Sequence, residues 1–211
     1  MVMDRTVIIT IARQFGSGGH EIGKRLAEKL NIPFYDKELL IHTAQASGLS
    51  EEVISYFDEQ PTNSLLYSLS TGVYSLTEAG VVNYSQPVHQ RVFQAQFDTI
   101  RALAEKGSCV IVGRCADYVL ENHPNVVRVF LHGDLEDRIR RVAEYDGITP
   151  AEAKSRINKS DKKRANYYNF YSGKKWGVSS SYDLCLNTST VGYENAVDFI
   201  ADFAQKAVSK N

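Results

Sequence analysis

Hydrophobic positions along the chain fall into two patterns that alternate. Short apolar runs recur at Val7 to Ile11, Cys109 to Val112, Val126 to Leu131 and Tyr182 to Leu186. The two middle runs, the second interrupted only by Arg128, read as strands buried on both faces of a parallel sheet. Between such runs the period is helical. Ile22, Leu26 and Leu30 form one stripe, with Lys24, Arg25, Glu28 and Lys29 off it. Asn31-Ile32-Pro33 breaks that helix, and Phe34-Tyr35-Asp36 reads as a short second strand, which makes a right-handed βαβ unit. Lys37 to Ser47 reads as helix, and Ser50-Glu51-Glu52 caps a further short helix through Phe57.

Val88 to Lys106 is a long helix stopped by Gly107, with Val92, Ala95, Phe97, Ile100, Leu103 and Ala104 as its apolar positions. Gly133-Asp134 opens a basic helix carrying Arg138, Arg140 and Arg141. Thr149-Pro150-Ala151-Glu152 is a strong helix start, with cap, proline and returning glutamate in order. That helix runs into a polar stretch, Arg156 to Arg164, then an aromatic series (Tyr167, Tyr168, Phe170, Tyr171), and Gly173 to Gly177 breaks it. Tyr193 to Val208 is the closing helix. The predicted fold is α/β: about five parallel strands with helices on both faces, and ligands at the carboxyl ends of the strands. The Gly16 loop, Asp36, Arg114 and Asp134 all fall at that end.

One segment departs from both patterns. From Asp58 to Pro87, Ser, Thr, Asn, Gly and Tyr dominate without a clean period, as expected of a lid, a binding segment or a helical hairpin on the domain edge. The 211 residues, 43% hydrophobic, suffice for one sizeable domain plus an insertion, and a net charge of -1 offers no global basic field for nucleic acid. Cys109, Cys115 and Cys185 have no metal or redox spacing and read as reduced residues of a cytoplasmic protein. The five histidines lack zinc-like spacing, and the short apolar run at the amino end is no signal peptide or membrane span.

The first strand leads through Gly16-Ser17-Gly18-Gly19 into the first helix, where His20 and Glu21 stand at the helix start. Strand, glycine loop and helix together aim backbone N–H groups and a helix dipole at one point, which suits a phosphate. Two named motifs fail on it. A dinucleotide fingerprint begun at Gly16 needs glycine where Glu21 stands, although Asp36 lies where a ribose-binding acid is expected. A P-loop frame ending at Gly23-Lys24 puts the lysine inside the helix and Arg25 in place of the hydroxyl. Aligned by its helix stripe, the loop has glycine in the position of the phosphate lysine, and Arg13 is the nearest cation.

The stretches ITIARQFGSGGHEIGKRLAEKLNIPFYDKELL, CVIVGRCADYVL, RANYYNFYSGKKWG and YDLCLNTSTVGYENAVDFI occur in this order. Together they resemble the cytidylate kinase-like family, a branch of the nucleoside monophosphate kinases with an R-Q-x-G-S-G-G loop. The resemblance implies a three-layer P-loop kinase fold in a single domain. It also implies an acceptor-binding insertion over 37–87 and a lid over 150–177. The implied chemistry moves the ATP γ-phosphoryl group to a small phosphate acceptor, a pyrimidine monophosphate such as CMP, with Mg²⁺ carried on ATP. Partners are then small nucleotides, with no nucleic acid, membrane or resident metal.

The family pattern also says where cations should gather. Arg164 and Asp161 match a D-x-x-R element of the lid, and Arg164 is the expected transition-state arginine. Arg138 and Arg141, one turn apart, are expected at the ATP phosphates or base, although acids on their own helix could hold them instead. Arg114 matches a G-R whose arginine serves the monophosphate; Cys115 stands where an acid follows, which leaves Asp117 as its substitute. His42 falls where the family has a phosphate-binding arginine. Because the loop lacks its lysine and hydroxyl, a phosphate-sensing protein on a degenerate kinase fold is the competing class. A dinucleotide-binding oxidoreductase rests only on the strand, the loop and Asp36.

Overall fold

The structure, a computed structural model, describes residues 6–36, 38–58 and 88–208. The strands are β1 (Ile8–Arg13), β2 (Phe34–Tyr35), β3 (Cys109–Val112), β4 (Val126–His132) and β5 (Leu184–Asn187). They pair in parallel in the order β2-β3-β1-β4-β5. Successive side chains of a strand point to opposite faces, so each face collects its own core. Val7, Ile9 and Ile11 join Val110, Val112, Val127, Val129 and Leu131 against α1 (Gly19–Leu30) and the carboxyl-terminal helix. Ile8, Cys109 and Ile111 face the other way, and a later helical layer covers them. The continuous apolar runs are therefore two half-cores interleaved.

The stripe of α1 is buried as its period predicts: Ile22 and Leu26 are fully covered and Leu30 nearly so. Each such side chain stabilises the fold by about 1.5–3 kcal/mol relative to exposure. Lys24, the residue that a forced P-loop frame would choose, is exposed in mid-helix. Asn31 ends α1 in the left-handed conformation, with its N–H returned to Ala27 and Glu28. Next come α2 (Glu38–Ser47) and α3 (Glu51–Phe57), the latter capped by Ser50, whose Oγ accepts from Val53 N. The segment read as a lid or hairpin, from residue 59 through Pro87, lies outside the described residues.

Helix α4 (Val88–Ala104) supplies Ile100, Leu103 and Ala104 to the second face, and the single turn α5 (Ala116–Val119) completes it. The buried side of α4 also includes Gln96 and Thr99, which an apolar reading passes over. α6 (Leu135–Asp146) follows β4, and α7 (Pro150–Ser172) runs unbroken for 23 residues from a Thr149–Glu152 capping box to left-handed Gly173. The polar and aromatic stretches read as separate features thus belong to one helix. Its first half packs Ala153 and Ile157 on Ile139 and Val142; its last turns pack Tyr167 and Tyr168 on Cys115. α8 (Thr188–Val208) is interrupted at Gly192, whose φ of 74° and ψ of 168° are not helical, so its main segment starts at Tyr193 as the sequence pattern predicts and a short segment from Thr188 precedes it. Its Ala196, Val197 and Ile200 close the first core. Since the chain fills β2 and β3 on one side of β1 before placing β4 and β5 on the other, the crevice opens at the end of β1, at Arg13.

Candidate active site

The loop after β1 is tied down at both ends. Gln14 N donates to Leu131 O at 2.9 Å, and Ser17 returns both its N–H and its hydroxyl to Gln14 O. Ser17 is fully buried, so its hydroxyl shapes the turn and does not face the cavity. Gly16 and Gly18 have φ of 77° and 82°, a region in which L side chains are strained. A Cβ on Gly16 would also press on Val142 and Arg138, and one on Gly18 would overlap the Tyr193 ring. Gly18 caps α1 with no side-chain hydrogen bond, so the first-turn N–H groups at Gly19, His20 and Glu21 are left for an anion.

Behind the loop stands a clamp. Asp161 Oδ1 accepts from Phe15 N at 2.7 Å, while Asp161 Oδ2 accepts from Arg138 at 2.7 Å. Arg138 also donates to Gly133 O and Phe15 O, and its side chain is only 8% exposed. The expectation that Arg138 faces the nucleotide is therefore not met by this geometry. Nor does it pair with acids on its own helix; it reaches across to α7. Asp161 and Arg138 fix the position of the loop. Arg164, one turn further along α7, leans over the ring of Phe15 and donates to Arg13 O at 3.2 Å. Arg141 crosses the Tyr193 ring at 5.0 Å.

A cavity of about 550 Å³ opens in front of the loop, the size of an ordinary small-ligand site. Of the residues singled out in the sequence, Arg13, Gly16, Gly18, Gly19, His20, Glu21, Asp36, Arg141 and Arg164 line it. Glu21 stays engaged with Arg25 at 2.6 Å. Tyr193, which the sequence reading used only to begin a helix, forms its far wall.

A second feature is an ionic cluster at the ends of β2 and β3. His20 Nδ1 lies 2.7 Å from Asp36 Oδ2, and Arg114 donates to Asp36 Oδ1 at 2.6 Å. Arg114 also forks onto Asp58, Nε to Oδ1 at 3.1 Å and NH2 to Oδ2 at 2.9 Å. Burial pushes the Asp36 carboxyl up, but the charges of Arg114 and Arg13 outweigh it and hold the group below the usual carboxylate range. Gly113, Arg114 and Cys115 are consecutively left-handed, and strain of this kind on non-glycine residues gathers at functional sites. Gln96 donates to Asp58 and accepts from Tyr167, linking the cluster to α7. Nothing in a single sequence marks Asp58 or Gln96 for this place.

Asp117 lines a small cavity with Arg13, Arg114 and Arg164, whereas His42 sits elsewhere. Asp117 is buried and accepts from Tyr168 at 2.7 Å; burial raises its carboxyl despite that bond. His42 packs edge-on against Tyr35 and lines a separate groove between α2 and α4. The aromatic residues Tyr167 and Tyr168 are core packing. Among the described residues no group of acids, histidines and cysteines could hold a metal, and no helix is long and apolar enough to cross a membrane. Backbone N–H groups of the loop with Arg13, Arg141 and Arg164 form a donor set that suits a phosphate-bearing ligand.

Sheet order, glycine loop and helical layers define a P-loop kinase fold. A shikimate kinase from Bacteroides thetaiotaomicron shares that fold at a TM-score of 0.52 and 17% identity, covering 94% of this chain and 98% of that one. A family model described as the cytidylate kinase-like family matches residues 8–190, and the chain belongs to that family. It is 26% identical over 186 residues to a cytidylate kinase of Pyrococcus horikoshii, covering 87% of this chain and 80% of the relative. A solved but uncharacterized protein from Eubacterium ventriosum is 34% identical with a TM-score of 0.68, over 94% of this chain and 98% of that one.

Proposed function

We propose that this chain transfers the γ-phosphoryl group of ATP to a small acceptor, with a pyrimidine nucleoside monophosphate such as CMP as the leading candidate. The observation that carries the reading is the placement of Arg13 and Arg164. Both line the loop cavity, and both also line the small cavity of about 20 Å³ beside Arg114 and Asp117. Two cations thus stand between a phosphate-binding loop and a candidate acceptor cluster, where a transferring phosphoryl group gathers negative charge.

In the step itself an acceptor oxygen forms a bond to Pγ as the bond from Pγ to the β-bridging oxygen breaks, and ADP leaves. Loop N–H groups hold the donor phosphates, Arg141 and Tyr193 flank the nucleoside, and Arg13 and Arg164 neutralise the moving group. Mg²⁺ on ATP would screen the β- and γ-oxygens. Arg114 meets the acceptor, oriented by Asp36. Within the acceptor-binding insertion read over 37–87, Asp58 reaches Arg114, and within the lid read over 150–177, α7 carries Asp161 and Arg164. The two carboxylates already on Arg114 favour a second acceptor class, a neutral hydroxyl compound.

The test is ADP formation from MgATP against CMP, dCMP, UMP, AMP, nucleosides and sugars. The reading expects one acceptor to raise ADP release in a Mg²⁺-dependent way, and Arg164→Ala to remove that rise. Nucleotide binding with no turnover on any acceptor would transfer the protein to the sensing class.

A further inference from the structure

Gly19 is a glycine that its own backbone does not require. Gly16 and Gly18 need their freedom because φ is left-handed, but Gly19 is the first residue of α1 and has no such φ. What forbids a side chain there is Arg13. A Cβ on Gly19 would lie 2.6 Å from Arg13 Cγ and 2.8 Å from Arg13 Cβ, closer than real Cβ contacts come. Those atoms are the root of the arginine stem, fixed by the last residue of β1, and cannot swing aside as a flexible tip would. The start of α1, where phosphate loops carry their lysine, has been cleared for a cation arriving from the strand. That cation enters the right space, since Arg13 lines the same cavity as Gly16, Gly18 and Gly19.

We propose that Arg13 is the phosphate cation of this loop: its guanidinium, delivered across Gly19 from the end of β1, contacts the terminal phosphate oxygens of the nucleotide in place of a lysine on α1. The missing lysine is then a relocation of charge, and Gly19 is the residue that permits it. The assignment rests on reading the loop cavity as a nucleotide site.

Calorimetric titration with MgATP and with adenosine separates the two ideas, because only the former presents phosphates. Wild-type protein should bind MgATP much more tightly than adenosine; equal affinities would overturn the nucleotide-site reading, and the Arg13 assignment with it. Arg13→Gln should weaken MgATP by about 10- to 150-fold, the size of a lost charge-assisted contact, and leave adenosine unchanged. Arg13→Lys should recover part of the loss. Unchanged MgATP affinity in a normally melting Arg13→Gln protein would overturn the proposal. Should Arg13→Gln also lower the melting temperature, Arg13→Gly with Gly19→Lys decides: the first change clears the stem and the second returns a cation at the helix start. Recovery of the preference for MgATP over adenosine, relative to Arg13→Gly alone, supports the assignment, and no recovery overturns it.

Discussion

Arg114→Ala is the most informative single perturbation of the ionic cluster at the ends of β2 and β3. Its side chain is 4% exposed, and its partners Asp36 and Asp58 are 9% and 19% exposed, so removing it strands two carboxylates away from water. Breaking a buried pair in this way costs about 3–5 kcal/mol, because His20, Gln96 and the charge of Arg13 replace only part of what the guanidinium supplied. For a chain of this size the melting temperature should fall by roughly 6–20 °C. The pH dependence identifies the cause. Asp36 titrates below its ordinary range in the folded protein, so it contributes stability that is present above the unfolded carboxylate pKa and lost as pH falls through the folded value. The deficit of Arg114→Ala should be full at neutral pH and shrink in acid, where protonated carboxyls no longer need the arginine. Arg114→Gly should lose less than Arg114→Ala, since a left-handed residue with a Cβ costs about 1–2 kcal/mol that glycine avoids. Melting followed by circular dichroism across that pH range is the assay. An unchanged melting temperature, or a deficit that stays constant on acidification, would refute the ion-pair reasoning.

Further outcomes follow from the same geometry. Gly18→Ala combines a strained φ with overlap of the Tyr193 ring and should abolish MgATP binding in a titration, with a stability loss of about 2–4 kcal/mol in urea melts. Asp161→Asn leaves one acceptor oxygen for two donors, so Phe15 N and Arg138 can no longer both be held; it should lower the rate of phosphoryl transfer more than the affinity for adenosine, seen as a fall in kcat. Ile157→Ala removes a fully covered side chain between α6 and α7 and should cost about 2–5 kcal/mol by chemical denaturation. Tyr168→Phe takes away the hydroxyl that Asp117 accepts from and should cost about 1–3 kcal/mol. Because burial raises the folded Asp117 pKa, the stability linked to that carboxyl is present below its unfolded value and is lost as pH rises through the folded one.

The fold was legible because its signals are periodic. The stripe Ile22, Leu26, Leu30 and the continuous run Cys109 to Val112 each admit one element, and both are buried as expected. Periodicity says which face a residue occupies, not whom it meets there. Arg138 lies on the face toward the loop, yet its guanidinium ends on Asp161 and the loop carbonyls, a pairing set by how α6 crosses α7. The length of α7 was hidden for a related reason. Its inward stripe runs Ala153, Ile157, Asp161, Arg164, Tyr168 at helical spacing, changing from apolar to ionic where it passes the site. A hydrophobic reading breaks there, at the two residues that matter. Asp58, Gln96 and Tyr193 reach the site only through tertiary contacts, from a helix end, a helix interior and a bend at Gly192. His42 followed a family position rather than a local signal, and the packing of α2 turns it toward another groove.

Central to this account is a phosphoryl group that passes from the Gly16 loop, between Arg13 and Arg164, toward Arg114 and Asp36. The most direct measurement follows label from γ-labelled MgATP into acceptors by chromatography, with wild-type, Arg13→Gln and Arg164→Ala proteins side by side. Label should enter one acceptor in the wild type, and either substitution should suppress the transfer. Label that stays on ATP, or appears only as inorganic phosphate with every acceptor offered, would contradict it.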